Sequence, residues 1–153
     1  MEGILFRKAD VADIPRLVKM RVQQLQEEGA ESTIDLSTVL IEYFEKNIQN
    51  GSFVSWLAIY EGSIIATSGM TFIQRPPYYG NPTGYVGILS GMYTLKPYRR
   101  KGIAKRLLGL IVDEAKAYGC GLVQITASDV GAYLYHDFGF REYHKFLQYK
   151  IEI

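Results

Sequence analysis

The sequence predicts a mixed α/β fold, an α+β mixed sheet flanked by helices, on three observations. Apolar residues recur at helical spacing in some segments and as short extended runs in others, so helices and strands interleave. The predicted order is β-α-α-β-β-β-α-β-α-β-β, without internal repeats, low-complexity segments or linkers. The 153 residues, 48% of them hydrophobic, suffice for one domain, residues 1–153, with a substantial core.

The first part of the chain predicts one strand and two helices. Residues 4–6 form a short apolar strand. Asp10 or Asp13 then caps a helix that carries Pro15 in its first turn and ends near Gly29. A second helix covers residues 36–48. An apolar stripe at helical spacing supports the first helix: Ile14, Leu17, Val18, Val22 and Leu25.

The middle of the chain predicts three strands. Residues 53–60 and 64–73 form two strands joined by a hairpin turn. A third strand over residues 85–95 carries Gly87 and Gly91. Glycine inside a strand often marks a bulge or a close approach of the backbone to a ligand, so we expect one of these features here.

The last part of the chain predicts two helices and three strands. The predicted elements are a helix over residues 102–118, a strand over 122–126, a short helix from Ser128 or Asp129 through Asp137, and closing strands at 140–143 and 145–151. Cys120, the only cysteine, is interpreted as a small buried hydrophobic residue, with a reactive thiol as the alternative.

Composition excludes several classes of function. The net charge of +1, from 17 basic and 16 acidic residues, argues against bulk nucleic-acid binding. No apolar run approaches the roughly 20 residues of a membrane span. The first residues lack the cationic start and long apolar segment of a signal peptide. With a single cysteine and therefore no internal disulfide, the sequence predicts a cytoplasmic protein without a membrane or nucleic-acid partner.

The stretch over residues 92–108 joins an extended apolar segment to a helix through a short basic loop. Backbone N–H groups at the start of a helix lack intrahelical partners, and the helix dipole adds partial positive charge there. Arg99, Arg100 and Lys101 add three cations, and Gly102 lets a ligand approach the backbone. The sequence therefore predicts an anion site, suited to phosphate, at this helix start.

Arg99, Gly102 and Ala104 resemble motif A of the GNAT superfamily of acyl-CoA-dependent N-acyltransferases, written Arg/Gln-x-x-Gly-x-Gly/Ala. The alternative is a basic surface loop that caps an ordinary helix. The resemblance implies a mostly antiparallel, splayed sheet whose central strand is opened by a bulge, for which Gly91 is the expected position. It implies acetyl-CoA as cofactor, bound by Met92, Tyr93, Thr94, Arg99, Arg100, Lys101, Gly102, Ile103 and Ala104.

Residues 127–140 resemble motif B of the same family, whose typical pattern is Leu-Tyr-x-x-x-Gly-Phe. Leu134, Tyr135, Gly139 and Phe140 fit this pattern. The resemblance implies that Tyr135 points at the sulfur of coenzyme A and acts as the general acid. The alternative is a helix whose aromatic side chains pack, with Gly139 as its C-cap and Phe140 beginning a strand.

The sequence assigns no general base. The candidate carboxylates are Glu27, Glu28, Glu31 and Asp129. The first three cluster at the end of the first helix, where we expect either a solvated surface or a contact with a cationic partner such as an amine. His136 and His144 are expected to be surface or packing residues, and no metal-ligand spacing is found.

A long loop over residues 74–84 contains three prolines and two glycines, which exclude regular structure. Loops of this length in compact domains are often functional. We expect Tyr78 or Tyr79 to contact the substrate as part of a lid over the acceptor site. The alternative is that both tyrosines pack on the surface of the domain.

The resemblance thus implies an N-acetyltransferase that transfers an acetyl group directly from acetyl-CoA to a primary amine. The alternative is a non-catalytic acyl-CoA-binding sensor or regulatory module. The acceptor stays open among a small polyamine, an antibiotic amine, an amino acid, and a protein N-terminus or lysine. Members of the family are frequently dimers, and the sequence does not decide whether this chain forms a homodimer.

Overall fold

The computed structural model of the protein describes residues 1–128, 131–143 and 145–153, so the expectations for Asp129 and His144 lie outside the described residues. Its strands are β1 (Ile4–Lys8), β2 (Phe53–Val54), β3 (Trp56–Tyr60), β4 (Ser63–Gln74), β5 (Tyr85–Thr94) and β6 (Leu122–Gln124). Its helices are α1 (Ile14–Glu27), α2 (Ser37–Gln49), α3 (Ile103–Tyr118) and α4 (Ala132–Phe138). Within the described part, no helix combines the length and apolar character needed to cross a membrane.

The sheet is mixed and mostly antiparallel, as the sequence predicts. Its strands lie in the order β1-β3-β4-β5-β6, and β2 also pairs with β4. Every pair is antiparallel except that of β5 with β6, which is parallel. Parallel neighbours need a crossover, and α3 provides it between these two strands.

The sheet separates two layers of helices. One face carries α1 and α2, whose buried residues pack around Leu57 of β3. The other face carries α3 and α4, and Ala58 belongs to the core on that side with Leu107 of α3. Successive side chains of a strand point to opposite faces, so Leu57 and Ala58 lie in different cores. The central strand β4 is buried along most of its length because both of its faces are covered.

Gly87 makes room for the side chain of Met70 on the neighbouring strand β4. A Cβ at this position would lie 2.7 Å from the Sδ of Met70, too close for two atoms that are not bonded, and 3.4 Å from the Cβ of Ala115 on α3, an ordinary contact. The sequence offered a bulge or a nearby ligand as explanations for this glycine. The structure gives a different reason, because the missing side chain leaves space for Met70 between the sheet and the helix.

The predicted closing strands at residues 140–143 and 145–151 were wrong: no described residue after Gln124 belongs to a strand. A strand needs a paired neighbour, and β6 offers an edge of only three residues, Leu122–Gln124. The side chains that suggested strands are exposed, among them Phe146, Leu147, Tyr149 and Ile151. Gly139 does end α4 as the predicted C-cap, with a φ of +123°.

A 3₁₀ turn, Val11–Asp13, precedes α1, so both predicted caps are used: Asp10 is the N-cap of the 3₁₀ turn, and Asp13 is the N-cap residue of α1. The side chain of Asp10 accepts a hydrogen bond from the amide of Ala12, and that of Asp13 accepts one from the amide of Asp10, both at 2.9 Å. Asp13 also forms a two-point ion pair with Arg7 of β1, at 2.7 and 2.8 Å. The hydrogen bond from Arg7 is the main reason why the pKa of Asp13 lies below its ordinary value.

We predict that Asp13→Asn destabilises the protein by about 1–3 kcal/mol at neutral pH, because it weakens the charge-assisted hydrogen bonds to Arg7. The pKa of Asp13 is lower in the folded state than in the unfolded state. The stabilisation is therefore complete above the unfolded pKa of about 3.9 and is lost as the pH falls through the folded pKa. Urea titrations of both proteins from about pH 7 to about pH 2 measure the difference. A stability gap that stays constant over this range would contradict the assignment.

Candidate functional site

Strands β5 and β6 separate after a short parallel pairing. The paired residues are Val86 with Leu122, Gly87 with Val123, and Ile88 with Gln124. β6 ends at Gln124, whereas β5 continues to Thr94. Of the strands that the structure describes, none pairs with residues 89–94 on this edge. Backbone N–H and C=O groups on the open edge are available to an extended ligand, as in β-strand addition.

Gly91 is the bulge that the sequence predicts. Thr67 and Gly69 on β4 are two residues apart, whereas their partners on β5, Tyr93 and Ser90, are three residues apart. Gly91 has a φ of +62°, in the left-handed region that glycine adopts without strain. The Oγ1 of Thr67 donates a hydrogen bond to the carbonyl of Gly91 at 2.9 Å and fixes the bulge. The bulge therefore lies inside the unpaired part of β5.

The predicted cofactor strand is held by two neighbouring side chains. The carbonyl of Met92 accepts a hydrogen bond from Nε2 of Gln24 at 3.2 Å, and that of Thr94 accepts one from Nε of Arg99 at 2.7 Å. Between them, the side chain of Tyr93 is buried. A carbonyl oxygen has two lone pairs, so both carbonyls retain capacity for a ligand.

Glu27 connects α1 to this strand and to the basic loop. Its Oε1 accepts a hydrogen bond from the hydroxyl of Tyr93 at 2.8 Å, and its Oε2 accepts one from Arg99 at 2.9 Å. These hydrogen bonds, that of Tyr93 first, hold the pKa of Glu27 below its ordinary value. The sequence offered a solvated surface or a cationic ligand for Glu27, and the structure instead pairs it with an arginine of the same chain. The guanidinium of Arg99 is therefore engaged within the protein.

The start of α3 has the features of an anion site. Gly102 is the N-cap, with a φ of +79° and no side chain to satisfy the first turn. In the part of the chain that the structure describes, no acceptor meets the backbone amides of residues 103–105. A Cβ at Gly102 would meet no atom within 4 Å, so the space around this cap is open. The preceding Arg100 and Lys101 are exposed beside it and add positive charge.

Tyr135 lies on α4 in the apolar cluster between α3 and the sheet. Its side chain is 7% exposed, the cluster includes Leu89, and Met92 packs against it. Burial, with a smaller contribution from the negative charge of Glu28, raises the pKa of Tyr135 to about 12. None of the described residues forms a hydrogen bond with its hydroxyl. The phenol is therefore protonated at neutral pH, and its hydrogen is available to a ligand.

Arg21, Gln24 and Glu28 form a polar row along α1 and its C-cap, and of these three the sequence identified only Glu28. NH1 of Arg21 donates to Oε1 of Gln24 at 2.9 Å, and Nε2 of Gln24 donates to Oε1 of Glu28 at 3.3 Å. Their spacing continues that of Ile14 and Leu17 on the buried face of the helix. Polar residues at positions of an apolar stripe are the signal that could have revealed the row.

A cavity of about 210 Å³ lies between this polar row and the bulge of β5. Helices α1 and α2 form one side, and the bulged parts of β4 and β5, including Ser90 and Gly91, form the other. Its lining is aromatic and hydroxylic, with contributions from Tyr43, Phe44, Phe53, Ser55 and Thr71. The cavity thus opens beside the predicted cofactor strand, on the face of the sheet that carries α1 and α2.

Tyr78 and Tyr79 lie at the opposite end of β5 from the bulge. Two hydrogen bonds between the backbones of Tyr78 and Asn81, at 3.0 and 3.2 Å, close their turn. Thr83 of the same loop donates to the carbonyl of Gly119, at the C-terminal end of α3, at 2.7 Å. Both tyrosines are exposed and neither lines the cavity. Their contact with an acceptor stays a prediction that no contact in this structure supports.

Cys120 and His136 lie outside the cavity. Cys120 packs against the core under α3, and burial raises the pKa of its thiol. This environment favours the interpretation as a small hydrophobic residue over that as a reactive thiol. The Nε2 of His136 lies 3.8 Å from Oε1 of Glu142 at the surface.

Comparison with known proteins identifies related sequences and folds. A model of the Acetyltransferase (GNAT) family matches residues 16–140 of the chain. A crystal structure of a predicted acetyltransferase with acetyl-CoA from Clostridium acetobutylicum is 37% identical, with a TM-score of 0.93 over 96% of each chain. No curated protein sequence matches significantly.

Two further crystal structures share the fold at lower identity. A GCN5-related N-acetyltransferase from Ralstonia eutropha is 19% identical, with a TM-score of 0.88 over 97% of this chain and 99% of that chain. An aminoglycoside N-acetyltransferase in complex with CoA is 18% identical, with a TM-score of 0.76 over 98% of this chain and 95% of that chain. At such identities the likeness concerns the fold alone.

We predict that Ala104→Glu weakens the binding of coenzyme A by about tenfold or more without destabilising the protein. A carboxylate in the first turn of α3 interacts favourably with the helix dipole, by about 0.3–1 kcal/mol, but repels a diphosphate at the same amides. Calorimetric titration measures the affinity, and thermal melting measures the stability. Lys116→Gln is the control, because it makes the same change of net charge at an exposed site near the other end of α3. If Ala104→Glu and the control bind equally well, the diphosphate does not lie at this helix start.

Proposed function

The chain belongs to the GNAT acetyltransferase family, and we propose that it transfers the acetyl group of acetyl-CoA directly to a primary amine, with Tyr135 as the general acid. The observation that supports this proposal most strongly is the convergence of an open strand edge, residues 89–94, with an uncapped helix start at residues 103–105. A ligand that is extended at one end and anionic at the other fits both features. Acetyl-CoA supplies an activated thioester on an extended arm that ends in a diphosphate.

The diphosphate is held at the start of α3. Backbone amides of residues 103–105 are free to donate there, and Arg100 and Lys101 add charge. Hydrogen bonds to a charged group contribute about 1.5–3 kcal/mol each, so a few of them give micromolar affinity. Gly102 supplies the left-handed backbone that turns the chain into the helix and leaves the space before it open.

The extended arm lies along the open edge of β5. The carbonyls of Met92 and Thr94 each accept a hydrogen bond from a side chain, and each has a second lone pair that a ligand can use. The bulge at Gly91 breaks the regular pairing with β4 just before this segment. Main-chain recognition of this kind accepts any acyl-CoA arm, so the strand contributes affinity, and specificity for the amine comes from other residues.

Tyr135 donates the proton that the departing sulfur requires. In the reaction the amine nitrogen bonds to the carbonyl carbon, the carbon–sulfur bond breaks, the amine loses a proton and the thiolate gains one. With a pKa of about 12, the phenol keeps its proton at every working pH. A free thiol has a pKa of about 8.5, and the burial that raises the pKa of the phenol also raises that of a thiol beside it, so the departing thiolate is a stronger base there than in water and takes a proton more readily.

We predict that Tyr135→Phe lowers kcat by about 100-fold or more, while the dissociation constant for coenzyme A changes little, because only the donor hydroxyl is removed. Thiol release with acetyl-CoA and an accepted amine measures kcat, and calorimetry measures binding. Tyr133→Phe removes the same hydroxyl from an 85% exposed tyrosine of the same helix and should leave both values unchanged.

Two outcomes would contradict the proposal at different points. If Tyr135→Phe keeps the kcat of the natural protein, the protein transfers acetyl groups without this general acid. If the natural protein binds coenzyme A but releases no thiol with any amine, the sensor function is correct and the transferase function is wrong.

A further inference from the structure

The cavity between α1, α2 and the bulge contains a single type of charge. Of the described residues that line it, Arg21 is the only charged one, and none is a carboxylate. The guanidinium of Arg21 donates to the amide oxygen of Gln24 at 2.9 Å and forms no ion pair with a described residue. Arg7 and Arg99, by contrast, are each paired with a carboxylate of the chain. The guanidinium of Arg21 therefore has unused hydrogen-bond donors that can bind an anion in the cavity.

An unpartnered hydroxyl lies in the same cavity. Ser55 is 2% exposed, and its Oγ has no hydrogen-bond partner among the described residues. Leaving a buried hydroxyl unsatisfied costs about 1–3 kcal/mol, and such groups are rare in folded proteins. Other hydroxyls in the lining have partners: Tyr43 bonds Thr71 at 2.7 Å, and Ser68 bonds the backbone of Trp56. The hydroxyl of Ser55 is thus available to a ligand.

Gln24 fixes the position of Arg21 relative to the open strand. Its side chain is buried, its Oε1 accepts from Arg21, and its Nε2 donates to the carbonyl of Met92 at 3.2 Å. The two ends of one amide therefore connect the cation of the cavity to the strand on which we place the thioester arm. A ligand bound to Arg21 is held at a defined distance from that strand, and the cavity wall nearest the strand is formed by Ser90 and Gly91.

The size and lining of the cavity limit the body of the ligand. A volume of about 210 Å³ is below the roughly 300–1,000 Å³ of sites for drug-sized ligands. The wall opposite the strands is apolar and aromatic, with Leu17, Leu40 and Phe44. A large polycationic amine would meet both a cavity that is too small and a cation of the same sign.

We propose that the acceptor is a small amino acid-like amine, whose carboxylate binds Arg21 and Ser55 in this cavity while its amino group faces the bulge at Ser90 and Gly91. This inference rests on the proposed acetyl transfer and specifies its substrate class. A guanidinium matches a carboxylate at two points, which fixes the orientation of the acceptor as well as its position. Gln24 is a positioning residue, since it orients Arg21 without contacting the carboxylate.

The first experiment compares acceptors that differ only at the anionic group. Alanine, leucine and phenylalanine are each assayed beside the corresponding carboxamide and the decarboxylated amine, with acetyl-CoA and detection of the released thiol. Spermidine represents polycationic acceptors, and phosphoethanolamine represents amines with a phosphate. We expect kcat/KM for the accepted amino acids to exceed that of their carboxamides and decarboxylated amines by about 10- to 100-fold, the equivalent of one charged hydrogen-bonding contact.

The second experiment tests Arg21 with matched variants. Arg21→Gln should raise KM for amino acids by about 10- to 100-fold and remove their advantage over the carboxamides, whose kcat/KM it leaves nearly unchanged. Arg21→Lys keeps the charge without the two-point geometry and should restore part of the loss. Arg16→Gln is the control, because Arg16 lies on the same helix and does not line the cavity.

Ser55 provides a test that separates binding from folding. Ser55→Ala should weaken amino acid binding several-fold without lowering thermal stability, because its hydroxyl forms no hydrogen bond with any residue that the structure describes. Ser68→Ala, in the same cavity, removes two hydrogen bonds to Trp56 and should lower thermal stability. A loss of stability in Ser55→Ala, with unchanged acceptor binding, would overturn the assignment of this hydroxyl to the ligand.

Binding of the amino acids to the protein loaded with coenzyme A, measured by calorimetry, distinguishes the remaining outcomes. Equal transfer to the acids and to their carboxamides, unaffected by Arg21→Gln, overturns the substrate class and leaves acetyl transfer intact. Preference for phosphoethanolamine over every amino acid overturns the carboxylate. Binding of amino acids that requires Arg21, without thiol release, supports the site and contradicts the transferase function. If the protein shows neither binding nor transfer, the proposed site and the transferase function are both contradicted.

Discussion

The separation of β5 from β6 is the constraint on which the rest of the structure depends. The two strands pair over three residues and then part, so β5 presents unpaired main-chain groups at an open edge of the sheet. Buried backbone groups need partners, and an open edge of this kind persists where water or a ligand can supply them. The bulge at Gly91 lies within this segment, and the basic loop and helix α3 follow directly from its end. An extended arm and a terminal anion are thereby accommodated by one continuous stretch of chain.

Helix α1 holds this stretch in place from the other face of the sheet. Glu27 binds Tyr93 and Arg99, and Gln24 binds the carbonyl of Met92. The same helix contributes Arg21 to the cavity, so one rigid element relates the acceptor side to the cofactor side. Arg21 and Gln24 occupy positions that would otherwise continue the apolar stripe of α1. At these positions, hydrogen bonds of defined geometry take the place of hydrophobic packing.

Local patterns in the sequence were sufficient for most elements and for part of the site. Helical spacing placed α1, α2 and α3 to within about two residues, which is the usual uncertainty at helix ends. The bulge at Gly91 was also predicted, because the family resemblance implies a bulged strand and a glycine within it is a suitable position for the bulge. The closing strands were wrong since propensity does not supply a partner strand, and β6 is too short to do so. Arg21 was missed although its position in the apolar stripe of α1 could have identified it, whereas Ser55 was missed because its significance comes from a cavity between distant segments, which spacing does not reveal.

Backbone amide chemical shifts during titration with coenzyme A show directly whether the cofactor binds at the open edge of β5 and the start of α3, since they report on each residue of this site. We expect the largest changes at the amides of residues 103–105 and along the open edge at residues 89–94, with little change at Tyr78 and Tyr79. Changes confined to the loop of Tyr78 and Tyr79, or the absence of any change at the start of α3, would contradict it.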